Sequence, residues 1–402
     1  MTTKINNEHK KVYVPNLRFP EFQGEWEKCK LGDLCNVLMC KRILASQTNT
    51  EEGVPFYKIG TIGNAPDAYI SKDLFDDYKT KYNYPHKGEV MITCAGTVGK
   101  CIIYDGKDAY YQDSNIVWID NYSQCISNSF LYHLLAKVDW RKLNSTTIIR
   151  IYNDDLRNLK LSYPQIEEQQ KISRLLSFLD ERIATQNKII DKLQSLIKGL
   201  NDTLYAQHGD EVMTSFAELG TSYSGLSGKS AQDFGSGKPF ITYLNVYSNN
   251  VINENDFQYV AIKDGEKQNV AEYGDVLFTL SSETPEEVGI GSVYLGKEKV
   301  YLNSFCFGIH ITNTEVAFPP YLSYYVSLTA FRKFIYPYAQ GSTRFNLCKA
   351  DFEKASIKLP TLADQKRIYS VLGHIDSKIE TERQMLNLYN SQKQYLLRQM
   401  FI

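Results

Sequence analysis

The feature that most constrains this chain is an internal repeat, because a duplicated sequence demands a duplicated architecture. Leu161-Ser162-Tyr163-Pro164 answers Ile357-Lys358-Leu359-Pro360, with an offset of 196 positions between the two prolines. Held without a gap, that offset pairs Gln169 with Gln365, Ile172 with Ile368, Leu176 with Leu372, Asp180 with Asp376 and Leu200 with Leu396. Upstream, Ser145-Thr146 answers Ser342-Thr343, and Gly88-Glu89-Val90-Met91-Ile92-Thr93 resembles Gly274-Asp275-Val276-Leu277-Phe278-Thr279. Pro55-Phe56-Tyr57-Lys58-Ile59 likewise resembles Pro239-Phe240-Ile241-Thr242-Tyr243.

The best-matched segments have helical periodicity. Ile172, Leu176, Leu179, Ile183, Gln186, Ile190, Leu193, Ile197, Leu200 and Leu204 follow an alternating four-three spacing. Ile368, Leu372, Ile375, Ile379, Glu382, Leu386, Tyr389, Lys393, Leu396 and Met400 fill the same slots. Such a seam places one narrow apolar stripe against a partner helix. Pro164 and Pro360 mark the starts, Thr361 with Asp364 forms a capping box, and Gly209 stands where the first helix stops. The chain returns between the two segments, so their pairing is expected to be antiparallel. At 1.5 Å per residue the matched seam would be about 57 Å long, a spacer between two globular parts related by a pseudo-twofold axis.

Those parts mix short β-like runs with short helices, an α+β pattern. The expected division is residues 1–163, a central helix over 164–207, residues 208–359, and a C-terminal helix over 360–402. Charge qualifies what they can bind. The whole chain carries 45 Lys+Arg against 46 Asp+Glu, which excludes an indiscriminately basic polyanion binder. Residues 1–160 hold 21 Lys+Arg and 19 Asp+Glu, while residues 208–360 hold 12 and 17. The second part can bind a polyanion only if its few cations cluster on one face.

Enzymatic patterns are weak. Gly96-Thr97-Val98-Gly99-Lys100-Cys101 is too short for a nucleotide-binding phosphate loop and puts Cys101 where a hydroxyl is needed. It reads as a turn between strands, or as a turn whose amides and Lys100 meet a DNA phosphate. Phe318-Pro319-Pro320-Tyr321 mimics an amino-methyltransferase signature but lacks its amide or carboxylate, so its prolines are expected to start a short helix. Pro66-Asp67 followed by Asp77-Tyr78-Lys79 or Asp105-Gly106-Lys107 gives a loose magnesium-nuclease pattern found in only one repeat. None of the eight cysteines forms a C-x-x-C, and no apolar run of membrane-spanning length occurs. No metal or cofactor site is expected in this chain, and a reduced, cytoplasmic setting is.

Binding residues are more plausible than catalytic ones. The segment with Thr147 and Arg150 occupies the same place as Thr343, Arg344 and Asn346: hydroxyls, an amide and arginines suit phosphates and base edges. A solvated loop capping the next element is the alternative. Lys41 with Arg42, and Lys229 with Ser230, open the two variable parts. Tyr57, Lys58, Thr97, Lys100, Tyr243 and Asn245 complete the candidate DNA-contacting set.

The chain also resembles a known family. Val14-Pro15-Asn16-Leu17-Arg18-Phe19-Pro20-Glu21-Phe22, Trp26, Leu31-Gly32-Asp33-Leu34 and the two Pro-x-x-x-x-Gln segments, Pro164 to Gln169 and Pro360 to Gln365, resemble the DNA-specificity subunit of Type I restriction-modification systems. The resemblance implies two target-recognition domains reading a split site on double-stranded DNA. It also implies two methyltransferase subunits using S-adenosylmethionine, two restriction subunits using ATP and magnesium, and no catalysis in this chain. A self-sufficient DNA-modifying or cleaving enzyme is the alternative function.

Overall fold

The computed structural model of the chain describes residues 13–142 and 150–402. It divides into two compact units, one comprising residues up to 187 together with 385–402, the other residues 188–384.

In the first unit, strands Asn36–Leu38, Ile116–Asp120, Val90–Thr93 and Cys101–Ile103 form an antiparallel sheet in that spatial order. Both faces are covered. Val90, Ile92, Val117 and Ile119 point into one core, which includes Phe130 and Leu131 of helix Asn128–Lys137. Met91, Ile116 and Trp118 point into a second, with Phe75 of helix Lys72–Lys81. Alternate residues of one strand thus feed opposite cores, which explains the uninterrupted apolar runs. A second sheet orders Tyr69–Ile70, Val54–Tyr57 and Tyr110–Tyr111, the last two parallel. A ribbon pairs Glu27–Lys30 with Lys160–Tyr163.

The second unit repeats this plan. Its four-stranded sheet orders Gly220–Ser224, Cys306–Ile311, Val276–Thr279 and Gly291–Val293. Its three-stranded sheet orders Gln258–Val260, Phe234–Ile241 and Tyr301–Leu302, and its ribbon joins Glu211–Thr214 to Ile357–Pro360. The registers coincide: Thr93 faces Ile116 as Thr279 faces Cys306, and Phe56 faces Tyr110 as Phe240 faces Tyr301. An additional small sheet orders Ser281–Ser282, Phe345–Leu347 and Ala339–Gln340. Phe318 caps helix Pro319–Tyr325, with proline in its first turn as the sequence predicts.

Two long helices, Ile166–Ala206 and Leu362–Gln399, are each shared between the units. All twenty seam positions are buried or half-buried. In the first unit Leu176 and Leu179 share a core with Leu396, Leu397 and Met400, and Lys393 pairs with Asp180. Early residues of one helix therefore meet late residues of the other, an antiparallel pairing. In the second unit Ile197 and Asn201 line one cleft with Asp376 and Ile379, again early against late. Thr361 and Asp364 form the expected cap, with the Asp364 amide donating to the Thr361 hydroxyl at 3.3 Å.

Candidate nucleic-acid interface

In each unit the two sheets end at a common corner, built by the same bonds. Thr93 closes strand Val90–Thr93: its amide donates to the Lys100 carbonyl at 3.0 Å, and its hydroxyl accepts from the Lys100 amide at 3.0 Å. In the second unit the Thr279 amide donates to the Ile290 carbonyl, and its hydroxyl accepts from the Ile290 amide, both at 3.0 Å. Just before these residues stand Gly99 and Gly289, with φ of 83° and 62°. A Cβ on Gly99 would lie 2.1 Å from Trp140, and one on Gly289 would lie 2.4 Å from Ile335. Glycine is thus favoured by φ at both, and at Gly99 also by the packed indole ring. The stretch from Ala95 to Gly99 is therefore the structural counterpart of that from Ser281 to Gly289.

The segments before the long helices lie against the same corner. The Ile151 amide donates to the Cys94 carbonyl, and the Leu347 amide to the Leu280 carbonyl, both at 2.8 Å. That register sets Arg150 opposite Asn346, not Arg344, in the repeat. Thr147 lies outside the described residues.

Several candidate residues gather in the first unit. Tyr57 ends its strand and stacks on Tyr111 at 5.8 Å. The Gln112 amide donates to the Tyr57 carbonyl at 2.9 Å, and the Arg150 guanidinium donates to the Ser114 carbonyl at 3.2 Å. Lys100 reaches the Ile62 carbonyl at 2.5 Å and so ties its turn to the loop following Tyr57. Lys58, half exposed, pairs with Asp67 at 3.2 Å, and Thr97 is exposed at the turn's tip. Lys41 lines a separate groove with Lys81, Tyr82 and Arg157, its ammonium 5.2 Å from the Tyr82 ring; Arg42 beside it is exposed. Ser114, Tyr111 and Arg157 carry no sequence signal: Tyr111 enters through strand pairing, Ser114 lies in the turn after it, and Arg157 ends the short helix Asn153–Arg157.

In the second unit Tyr243, Thr343, Arg344 and Asn346 meet at the corresponding corner. The Tyr243 hydroxyl donates to the Ser281 carbonyl at 2.8 Å, and Ser281 pairs with Asn346 in the small sheet. Burial lifts the Tyr243 phenol above its ordinary range, with Glu287 acting in the same direction and Arg344 against it. Thr343, Arg344 and Asn346 are exposed. Three other candidates are spent elsewhere. Lys229 donates to the Ala261 carbonyl and Glu266 at 2.7 Å and its side chain is 6% exposed, while Ser230 holds Asp233. The Asn245 side chain is buried, donating to the Asn253 carbonyl and accepting from the Asn253 amide, so it presents nothing to a base edge here.

Sequence reading missed three residues at this corner. Tyr247 stacks on Tyr243 at 5.9 Å, one helical turn later, and donates to Glu287 at 2.8 Å. Ser282 donates to the other Glu287 oxygen at 3.1 Å. Bonds from Tyr247, Thr284 and Ser282 hold the Glu287 carboxyl below its ordinary range. The i, i+4 spacing of Tyr243 and Tyr247 was a legible hint; Glu287, in a variable loop, had none.

Chemically the corners offer amides, hydroxyls, aromatic faces and isolated charges. Among the described residues no group of His, Cys, Asp and Glu could hold a metal ion, and no helix is long and apolar enough to cross a membrane. All eight cysteines are free thiols.

Comparison with known proteins gives the same duplication. A family model for the Type I restriction modification DNA specificity domain matches residues 23–195 and again residues 225–388. A protein of Haemophilus influenzae named as a type I restriction enzyme specificity subunit is 47% identical over 169 residues, 42% of this chain and 43% of that relative. The chain thus spans less than half the length of that relative. The specificity subunit named MjaX of Methanocaldococcus jannaschii is 24% identical over 90% of this chain and 89% of its own. The crystal structure of a Type I restriction-modification S subunit from M. genitalium shares the fold with a TM-score of 0.55 at 14% identity, covering 97% of this chain and 99% of that one. With its domain model matched twice over more than half of its length, the chain belongs to the Type I restriction-modification DNA-specificity family.

Proposed function

We propose that this chain recognises a bipartite site on double-stranded DNA and directs partner methyltransferase and restriction subunits to it, performing no catalysis itself. The observation that carries the reading is the duplicated corner: two sets of strand ends, bonded alike but lined by different side chains. A repeated frame with divergent lining is what two half-sites of different sequence require. Tyr57, Lys58, Thr97, Lys100 and Arg150 would face one half-site, with Lys41 and Arg42 on the flanking backbone. Tyr243, Thr343, Arg344 and Asn346 would face the other. Arginine can fork onto guanine and asparagine onto adenine, while lysines position the duplex through phosphates.

Two methyltransferase subunits would bring S-adenosylmethionine, and two restriction subunits ATP and magnesium, in the cytoplasm. Partners would also supply phosphate affinity, since residues 208–360 carry five more acidic than basic side chains. The long helices, continuous over 41 and 38 residues, would set the gap between half-sites.

The test is methylome sequencing of a cell carrying the chain with its methyltransferase. One bipartite motif, lost when this chain is deleted, is the expected result. Turnover by the purified chain alone, or methylation without a split motif, would overturn the reading.

A further inference from the structure

The two corners differ in one respect that bears on which bases they read. In the first unit the turn after Thr93 is short, and a lysine, Lys100, follows its last glycine. In the second unit the equivalent stretch is four residues longer, Ile290 replaces the lysine, and the insertion carries Glu287. The corner thus carries a lysine in the first unit and a glutamate, at a different position of the longer loop, in the second.

The longer loop is held firmly. Arg332, its guanidinium largely buried, donates to the carbonyls of Glu286, Val288 and Gly289 at 2.8, 2.7 and 2.6 Å. Those three bonds fix the backbone on both sides of Glu287. The carboxylate is then oriented by Tyr247 on one oxygen and Ser282 on the other. Thr284 bonds the same carboxylate, so three of its four lone pairs are taken and one stays open, with the side chain partly exposed. Among the described residues Arg344 makes no ion pair, so the two opposite charges at this corner are not spent on each other.

An ionised carboxylate on a DNA-facing corner repels phosphate. It is favoured opposite donors on a base edge. In the major groove those are the exocyclic amino groups of cytosine and adenine. Adenine sets its N7 acceptor beside the amino group, where a second carboxylate oxygen would be repelled. Cytosine carries no acceptor of its own beside N4–H₂ on that edge, the neighbouring O6 belonging to its guanine partner. We propose that Glu287 is a specificity-determining residue that accepts a hydrogen bond from cytosine N4 in the half-site read by the second unit, with Arg332 as its positioning residue. The proposal rests on the DNA-recognition reading above and adds a base and an atom to it.

The experiment uses the full chain in complex with its methyltransferase and duplexes varied one base pair at a time. Wild type should prefer cytosine at one position of one half-site. Glu287→Gln keeps the shape but removes the charge and one of the two acceptor oxygens, and should weaken that preference about tenfold or more, leaving the other half-site unchanged. Replacing that cytosine by 2-pyrimidinone, which lacks the amino group, should weaken wild type more than Glu287→Gln. Tyr247→Phe, which keeps the carboxylate but loosens its orientation, should weaken the same position less. It also serves if Glu287→Gln fails to fold. An unchanged base profile in these variants would overturn the proposal while the wild-type motif left the broader reading standing. A uniform gain in affinity with a shallower salt dependence would also overturn it, by placing Glu287 against the backbone. A wild-type complex with no sequence preference would instead remove the DNA-recognition reading itself.

Discussion

Gln169 and Gln365 make the same three hydrogen bonds. Gln169 accepts from the Ser127 amide at 2.7 Å and donates to the Cys125 and Pro164 carbonyls at 2.8 Å. Gln365 accepts from the Phe318 amide at 2.7 Å and donates to the Val316 and Pro360 carbonyls at 2.7 and 2.8 Å. Both side chains are fully buried. Each amide pins the loop before a short helix to the start of a long one. The glutamine that marks the repeat in sequence is therefore the joint between its helical and globular parts.

Gln169→Ala and Gln365→Ala should each destabilise the unit they belong to by about 3 kcal/mol, because three buried backbone groups lose their partner. Gln169→Glu, similar in shape, should be no better, since a carboxylate cannot donate to two carbonyls. Urea denaturation followed by fluorescence checks both. A shift in midpoint below a tenth of the wild-type value would contradict the joint.

The acid sensitivity of the first unit should come largely from His133. Burial pushes this imidazole down to about 4, with Asp180 opposing and Lys393 adding to the shift. Its ring is buried, and its nearest carboxylate, Asp180, lies at 3.9 Å. The unfolded chain binds the proton near pH 6.5 and the folded chain only near 4, so stability falls as pH drops through that window. The full effect is roughly 3 kcal/mol by the linkage relation. Glu89, whose carboxyl burial raises, opposes it. The readout is therefore the difference between wild type and His133→Gln: denaturation midpoints at pH 7 and pH 5 should converge in the variant. An equal loss in both proteins would exonerate His133.

How much of this was readable in advance differs between frame and lining. The helices were legible because their seam is local and periodic: Ile172 through Leu204 announces one buried stripe whatever it packs on. The strand Val90–Thr93 was legible as a short apolar run, although burial on both faces leaves it no alternation. Which loops meet was not, because strand order and register decide it. Glu287 reaches the corner only because Thr279 pairs with Ile290 across an insertion, and Asn245 leaves it because its helix turns inward. Such long-range pairings carry no period. Lys229 shows the opposite error: a basic residue among glycines looked available, yet Glu266 claims it.

Arg344→Ala and Arg150→Ala should affect different half-sites. Each arginine stands at one corner, and a forked contact to guanine is worth about 1–3 kcal/mol of discrimination. In competition binding by the complex with methyltransferase, each variant should relax preference at one position by roughly tenfold. The two effects should add, since they arise in separate units. A uniform weakening at all sequences would reassign the arginine to phosphate. No change in affinity or preference would remove it from the interface.

Lengthening both long helices by one heptad should lengthen the gap in the recognised site. Insertions after Asn187 and Arg383 preserve the four-three seam, so the helices can still pair along the stripe. Seven residues add about 10 Å, which is roughly three base pairs of duplex at 3.4 Å each. Three base pairs also turn the duplex by about 100°, given 10–10.5 pairs per turn. The half-sites would then face different directions relative to the corners, and some affinity should be lost even at the new optimum. Inserting into one helix alone should break the pairing and cost far more. Binding to a series of duplexes with gaps increased one base pair at a time separates the cases. An optimum that stays at the wild-type gap would mean that the helices hold the chain together without setting its spacing.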